Sequence, residues 1–223
     1  MTTLKGVEPF DPARVQAAYD AAAEDYASAF GDDLDRLPVD RAVLDRGADQ
    51  LRGRGPVLDI GCGPGQVASY LAGRRVSAVG LDLAPGMLAV ALRTTELPLA
   101  CADMRRLPIR SGSCAGVVAF YSIQHVRRAA IDAVFGEFAR VLIPDGLVIV
   151  ATHLGEGEAY PTELLGHAFD AIGGTFYAEG ELEEALARQS FTVEDTTFRD
   201  PLPHEHQARR IYLTARRVRR GAS

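Results

Sequence analysis

Asp59, Asp82 and Asp103 each sit in or just after a short apolar run, and three glycines at alternate positions, Gly61, Gly63 and Gly65, follow the first of them. Carboxylates so placed can accept hydroxyl or amino hydrogens from a ligand. Glycines let the main chain approach that ligand, because no Cβ intervenes and dihedrals closed to other residues are open. The stretch 57–65, Val-Leu-Asp-Ile-Gly-Cys-Gly-Pro-Gly, reads as a buried strand meeting a turn, and 66–72 after it has helical composition. Strand, glycine turn and helix make a cradle whose main-chain N–H groups face a ligand. Two histidines, His125 and His153, come just after later apolar runs. An imidazole there could take the proton released when a hydroxyl or amine reacts.

These residues need a scaffold, and the hydrophobic pattern supplies one. Residues 1–55 read as helices without strands. Asp11-Pro12 is a helix start, a capping carboxylate followed by proline at the first helical position. Val15, Tyr19, Ala22, Tyr26 and Phe30 then share one face, and Val39, Val43, Ala48 and Leu51 form the apolar side of a second helix. From residue 57 strands alternate with helices: strands at 57–60, 76–81, 99–102, 116–120 and 147–151, and helices at about 66–73, from Pro85, and along Ile131, Val134, Phe135, Phe138 and Leu142. Pro144-Asp145-Gly146 reads as a tight turn. Strands apolar on both faces imply a parallel sheet covered on both sides. Residues 153–178 break the rhythm with glycines, Tyr160, Phe169, Phe176 and Tyr177, as expected of a lid over a substrate. A helix at about 180–189 and two strand-like runs, 191–193 and 211–215, complete the chain, the last two as an antiparallel pair at the sheet edge.

Spacing narrows the ligand. The phosphate-loop pattern GxxxxGK[ST] is absent. A dinucleotide fingerprint needs glycine at position 66, which is Gln66. A carboxylate inside the strand, Asp59, suits a ligand with a cationic or hydroxyl-bearing part better than a pyrophosphate. Asp82 ends the second strand, where a carboxylate can accept both hydroxyls of a ribose. Asp103 could accept from an adenine amino group, and Met87 and Met104 could touch a purine face.

With these features the sequence resembles the class I S-adenosylmethionine-dependent methyltransferases. VLDIGCGPG looks like their glycine loop, VGLDLAPGML their second-strand motif, CADMRRLPI their adenine motif, GVVAFYSIQHV their fourth-strand segment and FARVLIPDGLVIVA the helix, turn and strand that follow. The five motifs run in order over residues 57–151, about two fifths of the chain. The resemblance implies an α/β fold of Rossmann-like type: a doubly wound, seven-stranded, mostly parallel sheet with an antiparallel C-terminal strand and an N-terminal helical cap. It divides one domain, 1–223, into a cap (1–55), a cofactor-binding half (56–151), a lid (152–180) and a C-terminal helix with a strand pair (181–223). It implies S-adenosyl-L-methionine as cofactor and S-adenosyl-L-homocysteine as product. Gly61, Gly63 and Gly65 would approach the methionine part, Asp59 would orient the loop, and Asp82 would hold the ribose. Asp103 and the Met104 main chain would bind adenine, with Leu83 and Met87 packing on it. Tyr19 and Tyr26 match a first helix that closes over the cofactor, and Tyr121 ends the fourth strand beside it.

Methyl transfer from a sulfonium is a direct displacement that depends on alignment and on a sink for any proton released. His125 is the first candidate for that sink and His153 the second. His204-Glu205-His206 reads as a solvated loop, not a metal site, and no metal is expected. The Phe-Tyr-Ser-Ile-Gln-His segment lacks an Asn-Pro-Pro-Tyr motif, which in this superfamily speaks against amino-group methylation of DNA bases or glutamine. A net charge of −6 gives no electrostatic reason to bind nucleic acid. The basic doublets Arg209-Arg210, Arg216-Arg217 and Arg219-Arg220 read as solvated strand ends and tail. No run approaches the roughly 20 apolar residues that span a bilayer. Three scattered cysteines fit a reducing compartment, and no signal peptide is evident. The expectation is a cytoplasmic monomer or homodimer that methylates a small molecule, on oxygen before nitrogen or carbon. The alternatives are an enzyme of this fold that uses the cofactor for other chemistry, and a noncatalytic cofactor-binding module. A nicotinamide-dependent oxidoreductase is opposed by Gln66.

Overall fold

The computed structural model describes residues 8–203 and 205–218. Two cap helices open the chain, α1 (Pro12–Phe30) and α2 (Pro38–Leu51). Asp11 caps α1, its side chain accepting from Ala13 N at 3.0 Å, and proline occupies the first helical position of both helices, where a missing N–H costs nothing. Then follow β1 (Pro56–Ile60), α3 (Gln66–Gly73), β2 (Ser77–Asp82), α4 (Pro85–Thr94), β3 (Leu99–Cys101), β4 (Cys114–Phe120), α5 (Ile131–Val141) and β5 (Leu142–His153). Residues 153–178 contribute four two-residue strands in two small antiparallel pairs, β6 (Glu158–Ala159) with β9 (Gly174–Thr175) and β7 (Glu163–Leu164) with β8 (His167–Ala168). The helix α6 (Glu181–Arg188) and the strands β10 (Phe191–Arg199) and β11 (Arg210–Arg217) finish the described chain.

The main sheet has seven strands in the order β10-β11-β5-β4-β1-β2-β3. β1 pairs in parallel with both β2 and β4, so the winding reverses there, and ligands bind at such a reversal beyond the carboxyl ends of the strands. β11 runs antiparallel between β5 and β10. Each strand alternates its side chains between two buried faces. Leu58, Ile60, Val117, Val148 and Val150 meet α5 and α6 on one side. Val57, Val118, Leu147 and Ile149 meet α2 and α3 on the other. Asp59 falls on this second face and points at α3.

One local expectation is corrected. Pro144-Asp145-Gly146 lies within β5, not in a turn before it. Cys114 faces Leu142 and Gly116 faces Leu147, so the strand takes up the extra residues as a bulge, with Asp145 at φ 59°. Among the described residues no helix is long and apolar enough to cross a membrane.

Candidate active site

The glycine loop leaves β1 at Ile60 and returns at once against β2. Gly61 N and Cys62 N donate to Leu81 O at 2.7 and 3.0 Å, and Gly63 N donates to Asp82 Oδ2 at 2.8 Å. The three glycines serve three ends. At Gly61 (φ 71°) an added Cβ would overlap Ser122, whose buried hydroxyl donates to Ile60 O at 2.7 Å. At Gly63 (φ 53°) a Cβ would meet nothing within 4 Å, because the main chain borders open cavity. Gly65 (φ 89°) is the N-cap of α3, packs on Ala91 and Thr95, and does not line the cavity.

Two carboxylates brace this loop. Asp59, 1% exposed, accepts from Ala68 N at 2.9 Å and so ties β1 to the first turn of α3. Burial pushes its carboxyl up to about 7, against the Ala68 N–H, and the Asp82 charge adds to the rise. Asp82 accepts from Gly63 N through one oxygen and from Ala84 N through the other, both at 2.8 Å. Its carboxyl is also raised by burial, against these N–H groups.

Leu83, Met87, Met104, Tyr19 and Tyr26 line one cavity with the loop. Tyr26 packs edge-on against Tyr19 and tilted against Phe30, and burial with the Asp82 charge raises its phenol to about 12. Asp103 also lines the cavity, but the Arg105 guanidinium holds it at 2.6 to 3.1 Å. Burial alone would raise this carboxyl; the Arg105 contacts lower it. Asp20, which the sequence did not single out, accepts from Gly86 N at 2.6 Å and fastens the cap to the start of α4.

His125 joins three distant segments. Its Nδ1 lies 2.9 Å from Gly173 O and its Nε2 2.7 Å from the Tyr19 hydroxyl. A carbonyl only accepts, so Nδ1 carries the hydrogen. Burial disfavours the charged ring, so Nε2 keeps its lone pair and the Tyr19 hydroxyl donates to it. The structure thus spends the basic nitrogen of His125 on clasping cap to lid. Gly173 N also donates to Pro9 O at 2.7 Å.

The far end of the cavity gathers His153, Tyr121, Glu205, His206 and Arg210. His153 ends β5, with its ring 5.5 Å from those of Tyr121 and His206. Burial, then the nearby Arg210 charge, pushes it down to about 3, so the imidazole is neutral. Tyr121 (φ 51°) lines the cavity but gives its hydroxyl to Asp40 at 2.8 Å and touches the Tyr212 hydroxyl at 2.9 Å. Its hydroxyl is committed to this buried network, while the residue still borders the same cavity as the glycine loop. Glu205 is no solvated loop residue. It accepts from Arg199 at 2.5 and 2.8 Å and from Leu202 N at 2.7 Å, and these contacts outweigh burial and lower it to about 2. Arg210 is no solvated strand end either: it is 3% exposed as the first residue of β11, which is buried on both faces, while the exposed Arg209 precedes the strand. His204 and Arg219-Arg220 lie outside the described residues. Among the described residues no cluster of His, Cys, Asp and Glu could hold a metal ion.

Gly63, Asp82, Asp103, His125, His153 and Arg210 border one cavity of about 1060 Å³, at the upper end of the range for small-molecule sites, roughly 300–1,000 Å³. The residues fit a nucleoside-linked amino acid. Open space borders Gly63, a carboxylate stands at Asp82, and Gln66 Oε1 is buried with no partner on the cavity wall.

Comparison with known proteins agrees with this geometry. The family described as "Methyltransferase domain" matches residues 57–146. A malonyl-[acyl-carrier protein] O-methyltransferase of Laribacter hongkongensis is 36% identical, over 82% of this chain and 65% of its own length. A dTDP-3-amino-3,6-dideoxy-alpha-D-glucopyranose N,N-dimethyltransferase of Streptomyces fradiae is 34% identical, over 54% of this chain and 47% of its own. The chain spans about half to two thirds of the length of these curated relatives. Among solved structures, the DhpI–SAH complex superposes with a TM-score of 0.75 at 22% identity, over 96% of this chain and 100% of that one.

Proposed function

We propose that this chain is a class I S-adenosylmethionine-dependent methyltransferase that transfers a methyl group from S-adenosylmethionine to an oxygen of a small-molecule acceptor. The observation that carries this reading is the cradle at the β1–β4 reversal. Gly63 offers bare main chain and Asp82 a carboxylate, while the cavity continues past His125 to a separate polar end. The donor supplies a methyl carbon on a positively charged sulfur. The chain binds it through the glycine loop, orients it with Asp82, Met87 and the Met104 main chain, and covers it with Tyr19 and Tyr26. Oxygen is favoured by the O-methyltransferase relative, and a net charge of −6 favours a small acceptor over nucleic acid. We place the reaction in the cytoplasm, in a monomer or homodimer. Calorimetry with S-adenosylmethionine and transfer of labelled methyl into a metabolite pool test the reading. Absence of cofactor binding would sink it.

Two further results are expected. His125 acts as a positioning residue, because Tyr19 already takes its lone pair. Tyr19→Phe and His125→Ala should therefore each weaken cofactor binding about three- to tenfold. Neither should shift the pH dependence of turnover. A titration lost from the pH–rate profile of His125→Ala would instead restore the base role to this histidine.

The second concerns pH. Asp59 sits near 7 without ligand. A bound cation favours its ionised form, so binding lowers that value and releases a proton between about pH 5 and 7. Affinity therefore rises with pH, by at most about tenfold per unit, and levels off above 7. Calorimetry at pH 6 and 8 in buffers of different ionisation enthalpy reads both the affinity and the released proton. Asp59→Asn should flatten the difference.

A further inference from the structure

We propose that the far end of the cavity is a binding site for an amphipathic carboxylate, with the head on Arg210 and the tail in a second, apolar chamber beyond His153. The proposal rests on the methyl-transfer reading and specifies its acceptor. Arg210 lines the main cavity, and its Nε is buried without a partner. Its other contacts are the His206 and Ala208 carbonyls, through Nη1, and Glu205 at 3.6 Å from Nη2.

The groups around Arg210 leave it under-paired. Arg199 and Arg210 are both buried beside Glu205, but Arg199 takes the close contacts with both of its oxygens, at 2.5 and 2.8 Å, and Arg210 stays at 3.6 Å. The other nearby carboxyl, Asp40, is fully buried, accepts from the Tyr121 and Tyr212 hydroxyls at 2.8 and 2.7 Å, and lies 3.6 Å from Arg199. A buried guanidinium whose Nε has no partner calls for a counter-charge, and an incoming anion provides it.

The chemistry agrees. When a carboxylate oxygen attacks the methyl carbon, the new O–C bond forms and the C–S bond breaks, with its electron pair left on sulfur. The sulfonium becomes a neutral thioether, the carboxylate becomes a methyl ester, and no proton is released. Neither candidate histidine is a ready proton acceptor: the lone pair of His125 is taken by Tyr19, and burial weakens the hold of His153 on a proton. A hydroxyl or ammonium acceptor would need such a base.

The tail has a place as well. A chamber of about 420 Å³ lies under the lid, walled by Ala159, Tyr160, Pro161 and Phe176. It shares Gln124, His153, Pro161 and His206 with the main cavity, so these residues form the partition between head and tail.

The test is calorimetric binding of probe ligands, with and without S-adenosylhomocysteine. Octanoate should bind at least tenfold tighter than 1-octanol, which lacks the charge, and than acetate, which lacks the tail. Arg210→Met should erase the preference for octanoate over octanol while leaving S-adenosylhomocysteine affinity within about twofold. Ala159→Phe, at the half-buried chamber wall, should bring octanoate down to acetate, and it keeps the test open if Arg210→Met does not fold. Octanoate binding no tighter than octanol to the parent, or an unchanged preference in Arg210→Met, would overturn the carboxylate site. Malonyl-coenzyme A, a carrier-linked carboxylate, binding tighter than octanoate would overturn the chamber. Loss of S-adenosylhomocysteine binding with octanoate binding intact would count against methyl transfer alone.

Discussion

Asp82→Ala should weaken S-adenosylmethionine binding about ten- to 100-fold and lower the melting temperature at the same time. A hydrogen bond to a charged acceptor is worth roughly 1.5–3 kcal/mol, and about 1.4 kcal/mol is tenfold in affinity. The ribose loses that acceptor. The fold loses something too, since Gly63 N and Ala84 N both donate to this carboxylate and would be left without a partner. Asp82→Asn separates the two losses. Its amide oxygen satisfies one N–H, but its NH₂ faces the other, so the loop should relax only on one side. Calorimetry for the cofactor and thermal unfolding without it read the two effects independently. A variant that bound like the parent would remove Asp82 from the cradle.

Gly61→Ala and Gly63→Ala should part company, which makes the pair more telling than either alone. At Gly61 the new methyl would overlap Ser122, which is fixed by its bond to Ile60 O. Overpacking costs about 1–3 kcal/mol and the left-handed backbone about 1–2 more. A large drop in melting temperature is expected, with loss of cofactor binding as a consequence. Gly63→Ala meets no protein atom and should lose only the backbone contribution. Its methyl would stand where the ligand approaches, so cofactor affinity should fall at least tenfold in a protein that remains folded. Equal losses of stability in the two variants would contradict the assignment of Gly63 to the open face.

The donor end was legible because its parts are close in sequence. Asp59, the glycines and Asp82 act through main-chain N–H groups within about twenty residues, and spacing alone can express that. The acceptor end was not. Tyr121 finds Asp40 across 81 positions and Tyr212 across 91. Nothing in a local pattern marks such a meeting. Arg210 reads as half of a solvated doublet, yet β11 begins at Arg210 with both faces covered and leaves Arg209 outside it. His125 was noticed for its ring, but its role follows from Gly173 and Tyr19, each of which reads locally as loop glycine or helix stripe. Even the three glycines, one motif on paper, separate in space into a steric fit, an open face and a helix cap.

The residues matched by the methyltransferase domain end at 146, whereas Asp40, His153, Arg199, Glu205 and Arg210 all lie outside that span. On the proposed reading, the glycine loop, Asp82 and Asp103 of the donor half form one continuous block, to which the N-terminal flank lends Tyr19 and Tyr26. The proposed acceptor half draws mainly on the two flanks. Exchanging the flanks would therefore change the product and loosen the methyl supply together. Grafting residues 57–146 between chains of this kind should carry over donor binding in weakened form, and the host's flanks should dictate what becomes methylated.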